Sequence, residues 1–201
     1  MAVSLPHLDI SSALLKAGGN VNAQNGAGKT PLHFVVANKN QQLLDLLLAH
    51  PKINLDFLDS DFASPLWIAL LAESEDIANV LADKGCSLSL VDQDDDSFLH
   101  RAINNRSLFS AKWLFLKGVD LNHQNQKKQT PLHRAALIGL VEVVKFLLQG
   151  EDIDLNLKDY QGQTPVHLAV RSKNPKILVS ILFELIFVVV IVSPNTTSLL
   201  D

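Results

Sequence analysis

Several stretches of the chain hold residue types that do chemistry elsewhere. AQNGAGKT at 23–30 comes within one residue of the phosphate loop G-x-x-x-x-G-K-[ST], with Ala23 for the first glycine. A working loop needs a buried strand before it and a helix after it that carries the hydroxyl to magnesium. The preceding AGGNVN is no such strand, so 23–30 reads as a turn tip with a solvated Lys29. Asp92, Asp94 and Asp96 open like a calcium loop, but its sixth and twelfth positions hold Ser97 and Ile103 instead of Gly and Glu. Serine, histidine and aspartate occur without a nucleophile elbow. Cys86 is the single cysteine, which excludes an intrachain disulfide and a Cys-based zinc site. Its one cationic neighbour, Lys84, does little to make a reactive thiolate. His33, His100, His133 and His167 are too far apart in sequence to gather round one metal. The expectation is therefore no catalytic, cofactor-binding or metal site.

The chain carrying these residues has 201 residues, 47% hydrophobic and 19% charged, with net charge −4. That is enough apolar material for a core and too little charge for a disordered chain. No global basic field draws it to nucleic acid, and 6% aromatics are few for a base-stacking surface. The opening MAVSLPHLDISS lacks a charged segment leading into an apolar one, so no signal peptide is expected. With one cysteine, a reducing cytoplasmic home fits.

Self-similarity determines what must position the candidate residues. TPLH at 30–33, SPLW at 64–67, SFLH at 97–100, TPLH at 130–133 and TPVH at 164–167 stand 34, 33, 33 and 34 residues apart. Each opens a short apolar stretch, then a polar break, then a second stretch with leucines at helical spacing, as in LLDLLL at 43–48 and VVKFLL at 143–148. Both 34-residue intervals carry their extra residue in one place, HPKINLD at 50–56 and GEDIDLN at 150–156. A surface loop tolerates such an insertion cheaply. The opening Thr or Ser suits a helix cap, and Pro suits the first helical position, where its missing N–H costs nothing. Ala69, Ala102, Ala135 and Ala169 let first helices approach closely.

These repeats resemble the ankyrin family, whose marks are the T-P-L-H opening and a period near 33. The resemblance covers roughly residues 7 to 182. It implies an all-α solenoid of helix-turn-helix units with β-turn fingers, in which the motif histidines bond to backbone and join neighbouring fingers. The expected organisation is an array over 1–182, with a partial repeat at 7–25 and repeats starting near 26, 60, 93, 126 and 160. A hydrophobic non-repeat tail follows at 183–201. Trp67 replaces a motif histidine, either as extra packing or as an exposed anchor.

In the tail, Ser180 and Glu184 are the only polar residues of 177–192. A spanning helix wants about 20 apolar residues, and a charge inside it costs a few kcal/mol. The β-branched run also weakens a helix. A packed or aggregation-prone segment is expected, with a membrane tail anchor as the alternative. Asn195 opens a glycosylation sequon, usable on a luminal tail end.

Ankyrin arrays bind through finger tips and the groove beside the first helices. The resemblance assigns the groove to Phe34, Ile68, Leu71, Arg101, Asn104, Arg134 and Leu137, and the tips to Asp61, Asp94, Lys127 and Tyr160. Arg101 and Arg134, on adjacent repeats, either clamp one carboxylate or phosphate or are held in salt bridges between fingers. Asn22, Asn122 and Asn156 each follow a leucine by eight residues, as do ankyrin asparagines that are substrates of asparaginyl hydroxylases. More narrowly, SPLWIAL, FLHRAINN and TPLHRAALIGL resemble the endosomal ankyrin proteins that also carry BTB and FYVE domains, the rabankyrin type. One cysteine leaves no FYVE zinc module to carry over. The resemblance implies a non-catalytic scaffold or adaptor, cytoplasmic and endosome-associated, whose partner is a small GTPase or trafficking factor. Nucleic acid is not expected, and membrane contact is expected only through the tail.

Overall fold

The computed structural model describes residues 12–172 and 174–192, with 184–192 as backbone alone. The tail sequon at Asn195 and the side chain of Glu184 lie outside the described residues. The chain divides into two compact units, Met1–Leu90 and Val91–Asp201. In the first, a helical turn at 12–16 precedes two helical hairpins, α1 (Pro31–Ala37) with α2 (Gln41–Leu48) and α3 (Pro65–Leu71) with α4 (Glu75–Asp83). The second holds three hairpins: α5 (Phe98–Asn104) with α6 (Leu108–Leu116), α7 (Pro131–Ile138) with α8 (Val141–Leu147), and α9 (Pro165–Arg171) with α10 (Pro175–Val192). Among the described residues the architecture is all-α, with one isolated antiparallel bridge between Val91 and Ser97.

Most of these helices have seven to nine residues, too short to persist alone in water. Packing holds them. In the first unit α1 lies against α3; in the second α7 lies between α5 and α9. The alanines at these contacts, Ala69, Ala102, Ala135 and Ala169, are buried, as are Leu44, Leu81, Leu114 and Leu147 of the second helices. Trp67 is 1% exposed, so the indole replaces the missing histidine as core packing and is no surface anchor.

Each finger is built on one Asx side chain five residues before the opening motif. The Oδ1 of Asp59 accepts the backbone N–H groups of Asp61 and Ala63, both at 2.9 Å. Asn25, Asp92, Asn125 and Asp159 make the same pair of bonds in their own fingers. Fingers then pair through backbone: Ser60 N–H to the Ala27 carbonyl in the first unit, Gln126 N–H to Asp94 and Tyr160 N–H to Lys127 in the second. The fourth finger position is left-handed, filled by Gly28 at φ +72°. A Cβ there would lie 3.1 Å from the Asp59 Cα, so Gly28 serves a tight turn and close backbone approach. Lys29, expected to be solvated, instead stands 3.7 Å from the buried Asp59 carboxylate.

Three of the four motif histidines, His33, His100 and His133, join one repeat to the next, whereas His167 is exposed and among the described residues meets only Thr164 of its own repeat. Thr130 N–H donates to His133 Nδ1 at 3.1 Å, and His133 Nε2 meets the Gln163 carbonyl at 3.0 Å. A carbonyl only accepts, so Nε2 carries the proton, Nδ1 is the acceptor, and the ring is neutral. His33 repeats this arrangement with Thr30 and the Ala63 carbonyl. His100 does so with the Ser97 hydroxyl and the Gln129 carbonyl. Burial pushes His100 down to about 4, against the favourable pull of the Gln129 carbonyl and Asp96. His33 and His133 are lowered by the same dominant cause.

α10 departs from expectation. The β-branched run does not end it; the helix continues to Val192, past the point at 182/183 where the repeat pattern of the sequence stops. Ile177 and Ile181 are fully buried and dock the first turns. Once a helix is nucleated, each added β-branched residue costs only a few tenths of a kcal/mol.

Two outcomes follow for stability. Thr130→Val removes the cap and the hydroxyl contact to His133, and should cost about 1 kcal/mol; Leu147→Ala, at a fully buried site, should cost about 2–5 kcal/mol. Urea melts of the two variants check this ordering. The unfolded state takes up a proton at His100 near pH 6.5 and the folded state only near 4. The His100 contribution is thus complete above pH 6.5 and is lost as pH falls toward 4. Melts across that window should show a steeper fall in the wild type than in His100→Gln, where this titration is absent.

Candidate functional site

The expected groove and tip residues fall into two sets, one in each unit. In the first, Phe34 on α1 and Leu71 at the end of α3 are 47% and 49% exposed. Ile68, in the same register as Phe34 one repeat on, is half-buried, and Asp61 is exposed at its finger tip. Phe34 stands four residues after its opening and Leu71 seven, so the two leave apolar area open at different positions along their first helices.

The second unit is more polar. Arg134 straddles Asn104, its Nε and Nη2 donating to Oδ1 at 3.0 and 2.7 Å. Asn104 Nδ2 donates to Asp96 Oδ2 at 2.9 Å, and Asn125 Nδ2 donates to Asp96 Oδ1 at 2.6 Å. Arg101 stands 3.9 Å from Asp92, with its side chain 12% exposed. The two arginines are thus held by different partners, Arg101 by an aspartate of its own finger and Arg134 by the amide of the preceding repeat. An anion clamp would have to draw both out of these contacts. Two of the four aspartates of this finger are committed in the same way: Asp92 closes the turn and faces Arg101, and Asp96 anchors two amides. No cluster of metal-ligating side chains occurs among the described residues.

At the tips, Asp94 and Lys127 are exposed, and Tyr160 is 70% exposed. The Lys128 ammonium lies 5.4 Å from the Tyr160 ring centroid and steadies it. Leu137 on α7 is 38% exposed between Arg134 and the helix end. His123, which the sequence did not single out, donates from Nε2 to the Asp95 carbonyl at 2.9 Å and meets His100 edge-to-face at 5.8 Å. Its only signal in the sequence is a histidine in the loop before a finger, which no motif flags.

The three candidate asparagines differ. Asn22 Nδ2 donates to the Lys52 carbonyl at 2.7 Å, and its Oδ1 accepts the Asn54 N–H at 2.9 Å. Asn122 binds Asp152 and Asp154 identically, at 2.6 and 2.8 Å. Both therefore clamp the two loops that carry the extra residue. Asn156 is exposed, and its carboxamide has no partner among the described residues. Cys86 is buried, and burial pushes its thiol up to about 12, away from any reactive thiolate.

Comparison with known proteins agrees with this architecture. A family model described as ankyrin repeats matches residues 1–92 and 99–188. The chain is 33% identical over 138 residues to Rabankyrin-5 of Mus musculus, covering 67% of this chain and 12% of that protein. It is also 33% identical over 154 residues to the nuclear factor NF-kappa-B p105 subunit of Gallus gallus, covering 74% of this chain and 16% of that protein. The chain thus spans a small fraction of the curated relatives it matches. Among solved structures, the ankyrin repeat domain of Bcl-3 superposes with a TM-score of 0.78 at 24% identity, covering 87% of this chain and 77% of that one. With the repeated finger, the histidine relay and a family model over most of its length, the chain belongs to the ankyrin-repeat family.

Proposed function

We propose that this chain is a non-catalytic protein-interaction module, and that another protein docks on its first-helix faces and finger tips. The observation that carries the reading is the exposure of Phe34, Leu71, Leu137 and Tyr160 at groove and finger-tip positions of four of the five repeats. Such apolar and aromatic side chains are the usual anchors of an interface. The likeness to Rabankyrin-5 favours an endosomal trafficking scaffold, with a small GTPase or trafficking factor as partner. The charge balance favours neither nucleic acid nor a membrane surface as the partner.

A tail-anchored adaptor is the second reading, because α10 continues as an apolar helix through Val192. Its apolar stretch, 177–192, rises about 24 Å, short of the roughly 30 Å hydrocarbon core. No helix among the described residues is long and apolar enough to cross a membrane. Carbonate extraction should therefore release the chain; retention in the membrane pellet would favour the anchor.

Asparaginyl hydroxylation, where it occurs, should favour Asn156. A hydroxylase must draw the side chain into its own site, and Asn22 and Asn122 would each give up two hydrogen bonds to get there. Mass spectrometry after co-expression with such an enzyme should find the added oxygen first on Asn156. Modification of Asn122 ahead of it would contradict this order.

The interface itself is tested by proximity labelling, followed by direct binding of the recovered partner. Leu137→Asp and Tyr160→Ala should each weaken binding by about tenfold, as truncated anchors do, while thermal melts stay close to wild type. Unchanged affinity in both variants and in Phe34→Asp would refute the surface.

A further inference from the structure

The finger and first-helix face changes sign along the second unit. From finger tip to helix end, residues 93–104 carry Asp94, Asp95 and Asp96 against one arginine, Arg101. The matching stretch 126–138 carries Lys127, Lys128 and Arg134 and no acid, and 160–171 carries Arg171 and no acid. Asp159, which closes the finger between them, is buried and accepts two N–H groups of its own turn.

The two arginines are held by neutral groups. Arg134 gives Nε and Nη2 to the Asn104 carboxamide, and its Nη1 lies 3.5 Å from Gln129 Oε1. Arg171, exposed at the end of α9, donates Nη1 to Gln163 Oε1 at 2.8 Å. Among the described residues neither has a carboxylate within ion-pair distance, whereas Arg101 stands 3.9 Å from Asp92 and Lys29 3.7 Å from Asp59. A carboxamide fixes the direction of a guanidinium without cancelling its charge. Asn104 takes the Nε–Nη2 edge of Arg134. The Nη1–Nη2 edge, crossed only by the long contact to Gln129, is left as a fork that fits a carboxylate through two parallel bonds. α7 lies against α9, and Leu137 and Arg171 each stand seven residues after their opening threonine, so an exposed leucine and an exposed arginine share one register.

The neighbouring finger selects the occupant. Asp94 is exposed, and its carbonyl accepts the Gln126 N–H, so it stands beside the basic tip. A bilayer or a nucleic acid strand is negative along its whole length and would meet Asp94 as well as the cations. A peptide sets the sign of each residue independently. We propose that the face of α7, α9 and their fingers takes an acidic segment of the partner, with carboxylates on Arg134 and Arg171 and an apolar side chain on Leu137. This rests on the interaction face proposed above and adds the charge of what occupies it.

The test uses the full chain and two fluorescent peptides. Both carry a leucine and, at one end, a lysine to meet Asp94. One has glutamates on either side of the leucine and the other has glutamines there. Anisotropy should show the glutamate peptide bound about tenfold more tightly, with the difference shrinking as salt rises. Arg134→Gln and Arg171→Gln should each weaken the glutamate peptide by about fivefold and leave the glutamine peptide unchanged. Arg171 is exposed, so its variant should melt as the wild type does. Equal or absent binding of the two peptides, or a glutamate peptide indifferent to both substitutions, would overturn the proposal. So would phosphatidylserine vesicles or a single-stranded oligonucleotide that the wild type retains and the double arginine variant releases, with neither peptide bound. A recovered partner lost by Leu137→Asp but kept by the double arginine variant would leave the face an interface and overturn only its acidic occupant.

Discussion

A carbonyl oxygen can only accept a hydrogen bond, and that fact fixes the state of the histidines on which the repeats depend. His33, His100 and His133 each direct Nε2 at the last carbonyl of the next finger, so each must be neutral with the proton on Nε2. The other nitrogen is then free to accept from the opening Thr or Ser of its own repeat. One ring thereby closes a helix start and reaches a neighbour 29 or 30 residues on. Burial supports the same choice, because charging a ring in this setting costs desolvation and turns Nδ1 from acceptor to donor. The Asx side chain does the complementary work, holding each finger in the shape that presents its carbonyl to the preceding histidine.

Much of this is legible in the sequence. The opening motif and its period identify the repeat, the two helices and the histidines. The two extra residues are visible as insertions. What was not legible depends on contacts about 30 residues apart. Nothing local says that Asn22 and Asn122 would seize the inserted loops, or that Arg134 would straddle Asn104. Gly28-Lys29 imitates a phosphate loop because a left-handed finger position wants glycine, while Lys29 faces an aspartate of the next finger. The Asx residues lay in plain view at a constant offset, yet a single side chain ahead of a motif draws no attention until its paired N–H bonds are seen. Trp67 shows the limit from the other side, since residue type alone left burial and exposure equally open.

The surface divides into parts with different chemistry. Phe34 and Leu71 make one unit's first-helix face apolar. In the other, Leu137 follows Arg134 of the Arg134–Asn104–Asp96 network by three residues on α7, and Tyr160 stands at a finger tip. That network and the Asp92–Arg101 contact are preorganised, so a partner meets a fixed pattern of donors and acceptors and orders few side chains on binding. In the first four repeats the opening motif is largely buried, while Phe34, Leu71, Leu137 and Tyr160 are left exposed. Family membership therefore follows from the core, and partner identity has to be sought in the side chains outside it.

The neutral, Nε2-protonated state of the relay histidines is the central claim, and nitrogen-15 NMR of the imidazoles tests it directly. At about pH 5.5, an ordinary histidine is mostly charged. His100, held down to about 4 by burial, should still show one protonated and one unprotonated ring nitrogen, with the proton on Nε2. A two-proton imidazolium at that pH in the folded protein, or a neutral ring protonated on Nδ1, would contradict the account.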